Sequence, residues 1–421
     1  MTETSEAITT LVTIAKDGPI DVCDTQDRID AAVAALSQGT GAIAIDTERA
    51  SGYRYSSRAY LIQFRREGAG TWLVDPTADV DLSALRKVVN SADWILHAAT
   101  QDLGCLVEID FVPPSLFDTE YAGRLLGRPK VGLTSLLESE LGISLEKEHS
   151  AADWSTRPLP PEWLAYAALD VDYLLELREI LEAELEARGR SEWARQEFEY
   201  LTAWRPPVQR SDPWRKTSGI HTVKNPLHLA VVRDLWHFRD HMARSRDKAP
   251  GRVLPDAAII DIARKDLKSA RDVFKLDSLR NRSHKALADQ LWDIRQKSLA
   301  AKELPASNSQ SFVLPPPKTW ADKNPAAAHR WGHIRPQLND LAAGLELAPE
   351  MLISPETVRI LCWDNPCNLN DSSAIDSWLR ERGVRQWQRE FICATIVNID
   401  FDAAPPPIAT TTELAAAATS Q

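Results

Sequence analysis

The stretch G-A-I-A-I-D-T-E, residues 41–48, decides how this chain is read. Ala42 to Ile45 are uninterrupted apolar residues that end on Asp46. A run this short, bounded by a glycine and an acid, reads as a buried strand. The strand delivers the Asp46 carboxylate at the edge of a sheet. Glu48, two positions on, falls on the same side of an extended chain. One strand end thus offers two carboxylates to one point in space.

Working outward, RAYLIQF (58–64) and TWLVD (71–75) read as further strands, separated by the turn-like REGAG. WILHA (94–98) is a fourth strand. QDRIDAAVAALSQ (26–38) and LSALRKVVN (82–90) carry apolar residues at helical spacing. Further helices are expected at 101–108, 117–127, 133–141, 161–188 and 191–201. A meander followed by alternating helices and a strand predicts an α/β domain with a mixed sheet over 18–204. A proline-punctuated linker (205–225) leads to a helical segment at 226–302, and a second linker rich in Pro, Ser and Asn (303–325) leads to helices at 326–400. Residues 401–421 have little to bury and are expected to be disordered.

Composition narrows the class. The chain has 421 residues, enough for two or three domains, with the apolar and charged fractions of a globular protein. The N-terminal residues lack a basic region followed by an apolar core, and no run is long enough to span a bilayer, so a cytoplasmic protein is expected with no membrane partner. Five scattered cysteines predict reduced thiols, and Cys362 and Cys367 lack the second ligand pair of a zinc site. No GxxxxGK[ST] phosphate loop occurs, which disfavours a helicase-linked enzyme. The net charge of −11 hides an asymmetry: residues 205–300 hold 21 Lys and Arg against 11 Asp and no Glu, a local +10 that leaves −21 elsewhere. A basic block inside an acidic protein is an electrostatic footprint for phosphate backbones, the plainer alternative being a solvated basic surface.

Three more residues join the first pair. Asp102 stands in HAATQDLG, and Tyr166 and Asp170 in WLAYAALDVDYLLEL. Four positions on a helix stack Tyr166 and Asp170 on one face. Singly each is bland: Asp102 suits a first helical turn, and a Tyr–Asp pair is common on amphipathic helices. A second D-T-E at 118–120 precedes a helical pattern, where Asp118 serves as N-cap. His97, at a strand end, reads as a satisfied core residue. Carboxylates gathered from such distant positions repel one another unless hard divalent cations neutralise them, which points to metal-dependent chemistry on phosphodiesters.

The ordered set resembles the DEDD superfamily of 3′–5′ exonucleases, with D-T-E, Asp102 and Y-A-A-L-D as its three motifs. A tyrosine four positions before the last Asp marks the tyrosine branch; the other branch carries histidine five positions before it, where this chain has Ala165. Within that branch YLIQF, HAATQDLG, FDTEYAGRLLG, KEHSAADWSTRPL and YAALDVDYLLEL resemble the ribonuclease D family. NPLHLAVVRDLWHFRDHMARSRDKAPGRVLPDAAII resembles its helical HRDC module, and 326–400 more loosely a second one. The resemblance implies a ribonuclease H-like exonuclease domain with a mixed sheet, followed by one or two small all-α HRDC-like domains. It also implies two divalent ions, Mg²⁺ or Mn²⁺. Asp46, Glu48 and Asp170 would hold one, and Asp46 would bridge to a second supported by Asp102. Tyr166 would orient the attacking water, and 5′-mononucleotides would leave from a 3′ end.

Flanking residues complete the expectations. Lys147 and Arg157, in a loop with Asp153 as anchor, are candidate phosphate contacts, with plain surface charge as the alternative. Arg215 and Lys216, within the 205–225 linker, either guide RNA or dock the helical module. Arg239, Arg246 and Arg252, with Arg233, Arg244 and Lys248, are expected on an RNA-facing surface, with Trp236 in the core. The expected partner is an RNA 3′ end, tRNA precursors first, acted on by a monomer. The rivals are a 3′–5′ exodeoxyribonuclease with the same motifs and a non-catalytic RNA-binding scaffold on a nuclease fold.

Overall fold

A computed structural model describes residues 9–145, 151–206, 212–306 and 314–403. Its strands are β1 (Thr10–Val12), β2 (Val22–Cys23), β3 (Thr40–Arg49), β4 (Ala59–Glu67), β5 (Gly70–Val74), β6 (Trp94–Leu96), β7 (Leu116–Asp118) and β8 (Ile143–Leu145). Six form one mixed sheet in the order β2-β5-β4-β3-β6-β7, and β1 pairs with β8 in a small parallel ribbon. The β3-β4-β5 meander is antiparallel, and its second turn is tight because Gly68 takes φ +75°. β6 and β7 extend the sheet in parallel. The expected mixed α/β fold is therefore observed, including the buried strand at 41–46.

β3 lies between β4 and β6, so Ala42 to Ile45 are buried. β6 pairs with β3 only at Ile43 and Ala44, whereas β4 accompanies it as far as Arg49. Beyond Ala44 the β6 side of β3 is thus left to the loop that follows β6. Helix Pro161–Asp172 starts with Pro at its first position, where a missing N–H costs nothing, and packs across β3, β4 and β5. It ends at Tyr173, where φ −115° and ψ 7° leave the helical region, so the helix expected at 161–188 is two, the second being Leu174–Ala187.

Residues 226–300 form their own helical unit around Leu235, Ile259, Leu279 and Leu291. Trp214, from the expected linker, is buried in the same core. The C-terminal helices, among them Pro325–Gly344, Pro355–Asp364 and Gln386–Val397, do not build a separate core. Their Trp320, Ile334 and Trp387 join Leu125, Leu136 and Leu177 of the first domain in one apolar cluster. Trp387 stacks on Trp193 at 4.7 Å, and its indole N–H donates to the fully buried Glu197 at 2.9 Å. Glu197 also pairs with Arg385. Phe401 packs against these helices, and the remaining residues expected to be disordered (404–421) lie outside the described residues. Among the described residues no helix is long and apolar enough to cross a membrane.

Candidate metal centre and nucleic-acid interface

The end of β3 carries Asp46 and Glu48 to one side of the sheet, and helix Pro161–Asp172 lays Asp170 over them. Ligand oxygens of these three carboxylates lie within 4.8 Å of one another. Asp102 enters from the loop after β6 and lines the same cavity of about 470 Å³, as do Tyr166 and His97. The Tyr166 hydroxyl hydrogen-bonds Asp170, one helical turn away. All five residues singled out in the sequence therefore face one cavity.

The site is an electrostatic strain. Burial is the first cause that raises the pKa of Asp46, Glu48, Asp102 and Asp170 above the carboxylate range. Mutual repulsion adds to it, Asp170 acting on Asp46 and Asp46 on Glu48. Arg49 offsets only part of this for Asp46, Glu48 and Asp102. A buried all-oxygen donor set with so little compensating charge fits a hard divalent cation. Burial and the neighbouring carboxylates also push the Tyr166 phenol up, so it keeps its proton.

Supporting residues beneath the site were only partly visible in the sequence. Thr47, on the strand between the two acids, donates from its hydroxyl to Asp102 Oδ1 at 2.6 Å. The β-period that aims Asp46 and Glu48 into the cavity was legible; Thr47's long-range partner was not. Asp118 caps helix Thr119–Leu125 through the Tyr121 N–H, as expected, and also accepts the N–H groups of Ala98 at 3.1 Å and Ala99 at 2.8 Å. Ala98 takes φ +59°, an uncommon conformation for a residue with a Cβ, and Asp118 secures it. This buried carboxylate thereby shapes the loop that presents Asp102. His97 Nδ1 is hydrogen-bonded to Thr119 Oγ1 at 2.9 Å, and burial lowers its pKa to about 4, so the imidazole is a neutral wall of the cavity.

The expected phosphate contacts divide. Arg157 commits all five N–H groups: to both oxygens of Asp75 and to Tyr60 O, Trp154 O, Thr156 O and Thr77 Oγ1. It clamps the 151–160 loop to the sheet and has no donor left for substrate, which corrects the expectation. Arg239 is also corrected. It is buried at 6 % exposure and donates to Leu254 O and Asp256, because position 239 follows Leu235 by one turn on the core face of helix Pro226–Ser245. Arg215 stacks on Trp214 and binds Asp212 and Ala306 O, so it fastens the linkers. Lys216 and Arg246 are exposed. Arg252 stacks on Tyr53 at 4.0 Å and donates to Gly52 O. Trp236 is half-buried against the helical core. Lys147 lies outside the described residues.

The sheet, the acid cavity and the order of its ligands define a 3′–5′ exonuclease domain of the DEDD type with a helical module behind it. Family models agree: one described as 3′-5′ exonuclease matches residues 20–186, an HRDC domain matches 228–294, and one described as 3′ to 5′ exonuclease C-terminal domain matches 313–399. The chain thus carries a 3′-5′ exonuclease domain and an HRDC domain, and it is similar to curated proteins named ribonuclease D. It is similar to the ribonuclease D of Nitrobacter hamburgensis, 36% identical over 172 residues that cover 40% of this chain and 44% of that protein. The chain thus spans less than half the length of that curated relative. A crystal structure of a protein from Bifidobacterium adolescentis matches with a TM-score of 0.83 at 34% identity, covering 92% of this chain and 99% of that one. Escherichia coli RNase D, described as an exoribonuclease involved in structured RNA processing, matches with a TM-score of 0.62 at 26% identity, covering 82% and 90%.

Proposed function

We propose that this protein is a metal-dependent 3′–5′ exoribonuclease that releases 5′-mononucleotides and trims the 3′ ends of tRNA precursors and other structured RNA in the cytoplasm. The observation that carries this reading is the convergence of Asp46, Glu48 and Asp170 within 4.8 Å, with Tyr166 bonded to Asp170. Two divalent ions, Mg²⁺ or Mn²⁺, would supply charge neutralisation at the scissile phosphate and a lowered pKa for bound water. Asp46, Glu48 and Asp170 would hold one ion, and Asp102 would support the other. Thr47 fixes the Asp102 oxygen it bonds. Tyr166 stays protonated and orients the attacking water as a hydrogen-bonding group, not as a base. Neutral His97 closes the cavity without adding charge.

The test uses 5′-labelled RNA and DNA, with free and blocked 3′ ends, in Mg²⁺, Mn²⁺ or EDTA. Stepwise shortening of free-ended RNA that EDTA abolishes is expected, and Asp170→Asn removes it while leaving RNA binding. Degradation that ignores the 3′ block refutes the exonuclease reading. Preference for DNA refutes the substrate assignment.

A further inference from the structure

Arg49 follows Glu48 at the end of β3, where the pairing of the sheet changes. β3 runs beside β4 in regular register from Ile43 opposite Arg66 to Glu48 opposite Leu61. The register then slips: Arg49 pairs with Ala59, so Tyr60 is the extra residue of a bulge. A strict two-residue period would send Arg49 to the face opposite Glu48. A bulge bends its strand and sharpens the local twist, and next to active sites it re-aims a side chain. Arg49 here lines the same cavity as Asp46, Glu48, Asp102 and Asp170. Among the described residues that line this cavity it is the one cation, because His97 is neutral.

An arginine set among acids ordinarily pairs with one of them. Arg49 does not: among the described residues its guanidinium forms neither an ion pair nor a hydrogen bond, although its charge acts on Asp46, Glu48 and Asp102. Other arginines near the sheet are committed, Arg54 to Ser155, Arg65 to Asp17 and Asp172, and Arg157 to Asp75. Arg49 is half-buried, so its five N–H donors are partly withdrawn from water with no protein acceptor to receive them. Charge balance points the same way. Four ionised carboxylates match the two divalent ions proposed above, and Arg49 leaves one positive charge over. A phosphodiester carries one negative charge, and a guanidinium fork fits two oxygens of one phosphate.

We infer that Arg49 contacts the scissile phosphate and keeps that contact with the 5′-phosphate of the departing mononucleotide. The inference rests on the exoribonuclease reading above. In hydrolysis a water oxygen bonds to phosphorus, the bond from phosphorus to the 3′ oxygen of the preceding nucleotide breaks, and that oxygen takes up a proton. The two non-bridging oxygens stay on phosphorus throughout, so a fork on them survives the reaction. Cationic clamps on a transferring phosphoryl group stabilise its transition state. A brace for the carboxylates is the competing role, and it predicts the opposite effect on metal affinity. A brace holds ligands in place, whereas an unpaired cation repels the metal they bind.

The test compares the full-length wild type with Arg49→Gln by calorimetry, titrating Mn²⁺ alone and then 5′-AMP or adenosine in saturating Mn²⁺. Mn²⁺ should bind the variant as tightly as wild type or more tightly, which also establishes that the acid cavity is folded. 5′-AMP should bind about tenfold or more weakly, and adenosine, which lacks the phosphate, as it binds wild type. On 5′-labelled RNA kcat/KM should fall by a similar factor at every length from the dinucleotide up, since each turnover presents one scissile phosphate. Weaker Mn²⁺ binding makes Arg49 a brace and overturns the inference. Unchanged 5′-AMP binding, equal losses for 5′-AMP and adenosine, or a loss confined to long RNA overturns it too. Wild-type protein that binds no Mn²⁺ or leaves every RNA intact refutes the metal-dependent exoribonuclease reading itself, so the two failures are told apart.

Discussion

Replacing Asp46 with Asn should stabilise the metal-free protein while abolishing hydrolysis. Two unit charges separated by 4.8 Å, the spread of the Asp46, Glu48 and Asp170 oxygens, repel by about 3.5 kcal/mol at an effective dielectric constant near 20. The protein avoids the full cost by holding protons: burial, then Asp170, pushes Asp46 up to about 8. The folded state therefore binds more protons than the unfolded chain from ordinary carboxylate pH up to about 8. Metal-free stability must fall as pH rises through that window, by about 1.4 kcal/mol per retained proton and pH unit. Asn keeps the shape and the hydrogen bond that Asp46 accepts from the Thr47 N–H, but removes the charge. Urea unfolding in EDTA should show the variant ahead of wild type by about 2 to 4 kcal/mol at pH 8, with a much smaller gap at pH 5. Adding Mn²⁺ should stabilise wild type and leave the variant little changed, because a ligand stabilises only the state that binds it. A variant less stable than wild type at both pH values refutes the electrostatic account, and one that still hydrolyses RNA refutes the site.

Three further substitutions probe the supporting structure. Asp118→Asn places an NH₂ group against the Ala99 N–H, now bonded at 2.8 Å, and should cost about 2–3 kcal/mol in urea unfolding and slow hydrolysis. A cost near zero would mean the Asp102 loop holds its shape unaided. Arg239→Met should destabilise the helical module by about 2–3 kcal/mol through the loss of the Asp256 pair, yet leave the salt dependence of RNA binding unchanged; a shallower salt slope would return Arg239 to the RNA surface. Gly127→Ala would put a Cβ 2.3 Å from Glu346 O at φ +73°, so thermal stability should drop by an amount worth about 3 kcal/mol, with earlier proteolytic release of the C-terminal helices. An unshifted melting curve would show that this contact yields freely.

Strong periodicity made the centre of the fold legible. QDRIDAAVAALSQ is helix Gln26–Gln38 without adjustment, and GAIAID lies inside β3. The edge strands β2 and β7 and the β1–β8 ribbon were not legible, because two or three residues carry no period; L-F-D at 116–118 read as a helix entrance and is both a strand and a cap. Asp46 with Glu48, and Tyr166 with Asp170, were readable from a period or spacing that aims each pair, whereas Asp102 was readable only as a member of the ordered set. Arg157 and Arg239 misled for a common reason: charge in a sequence shows nothing of the acceptors that folding brings to it. For Arg239 the remedy was present, since Val231, Val232, Leu235, Met242 and Ala243 trace the buried face on which it falls. For Arg157 it was not, because Asp75 is 82 residues away. The contribution of Thr47 and Asp118 is long-range in the same way.

The shared apolar cluster at the C-terminus has a consequence for how the chain acquires its structure. Trp193 and Glu197 are made early, but Arg385 and Trp387, which cover them, are synthesised nearly two hundred residues later. Between them the ribosome delivers the whole helical module, which encloses a core of its own. The sheet can assemble as it emerges, since domains fold in order of synthesis, yet its helical flank stays bare until translation is almost finished. Chains interrupted before residue 387 would display that flank to solvent and to one another, so premature termination yields an adhesive product rather than a shortened enzyme.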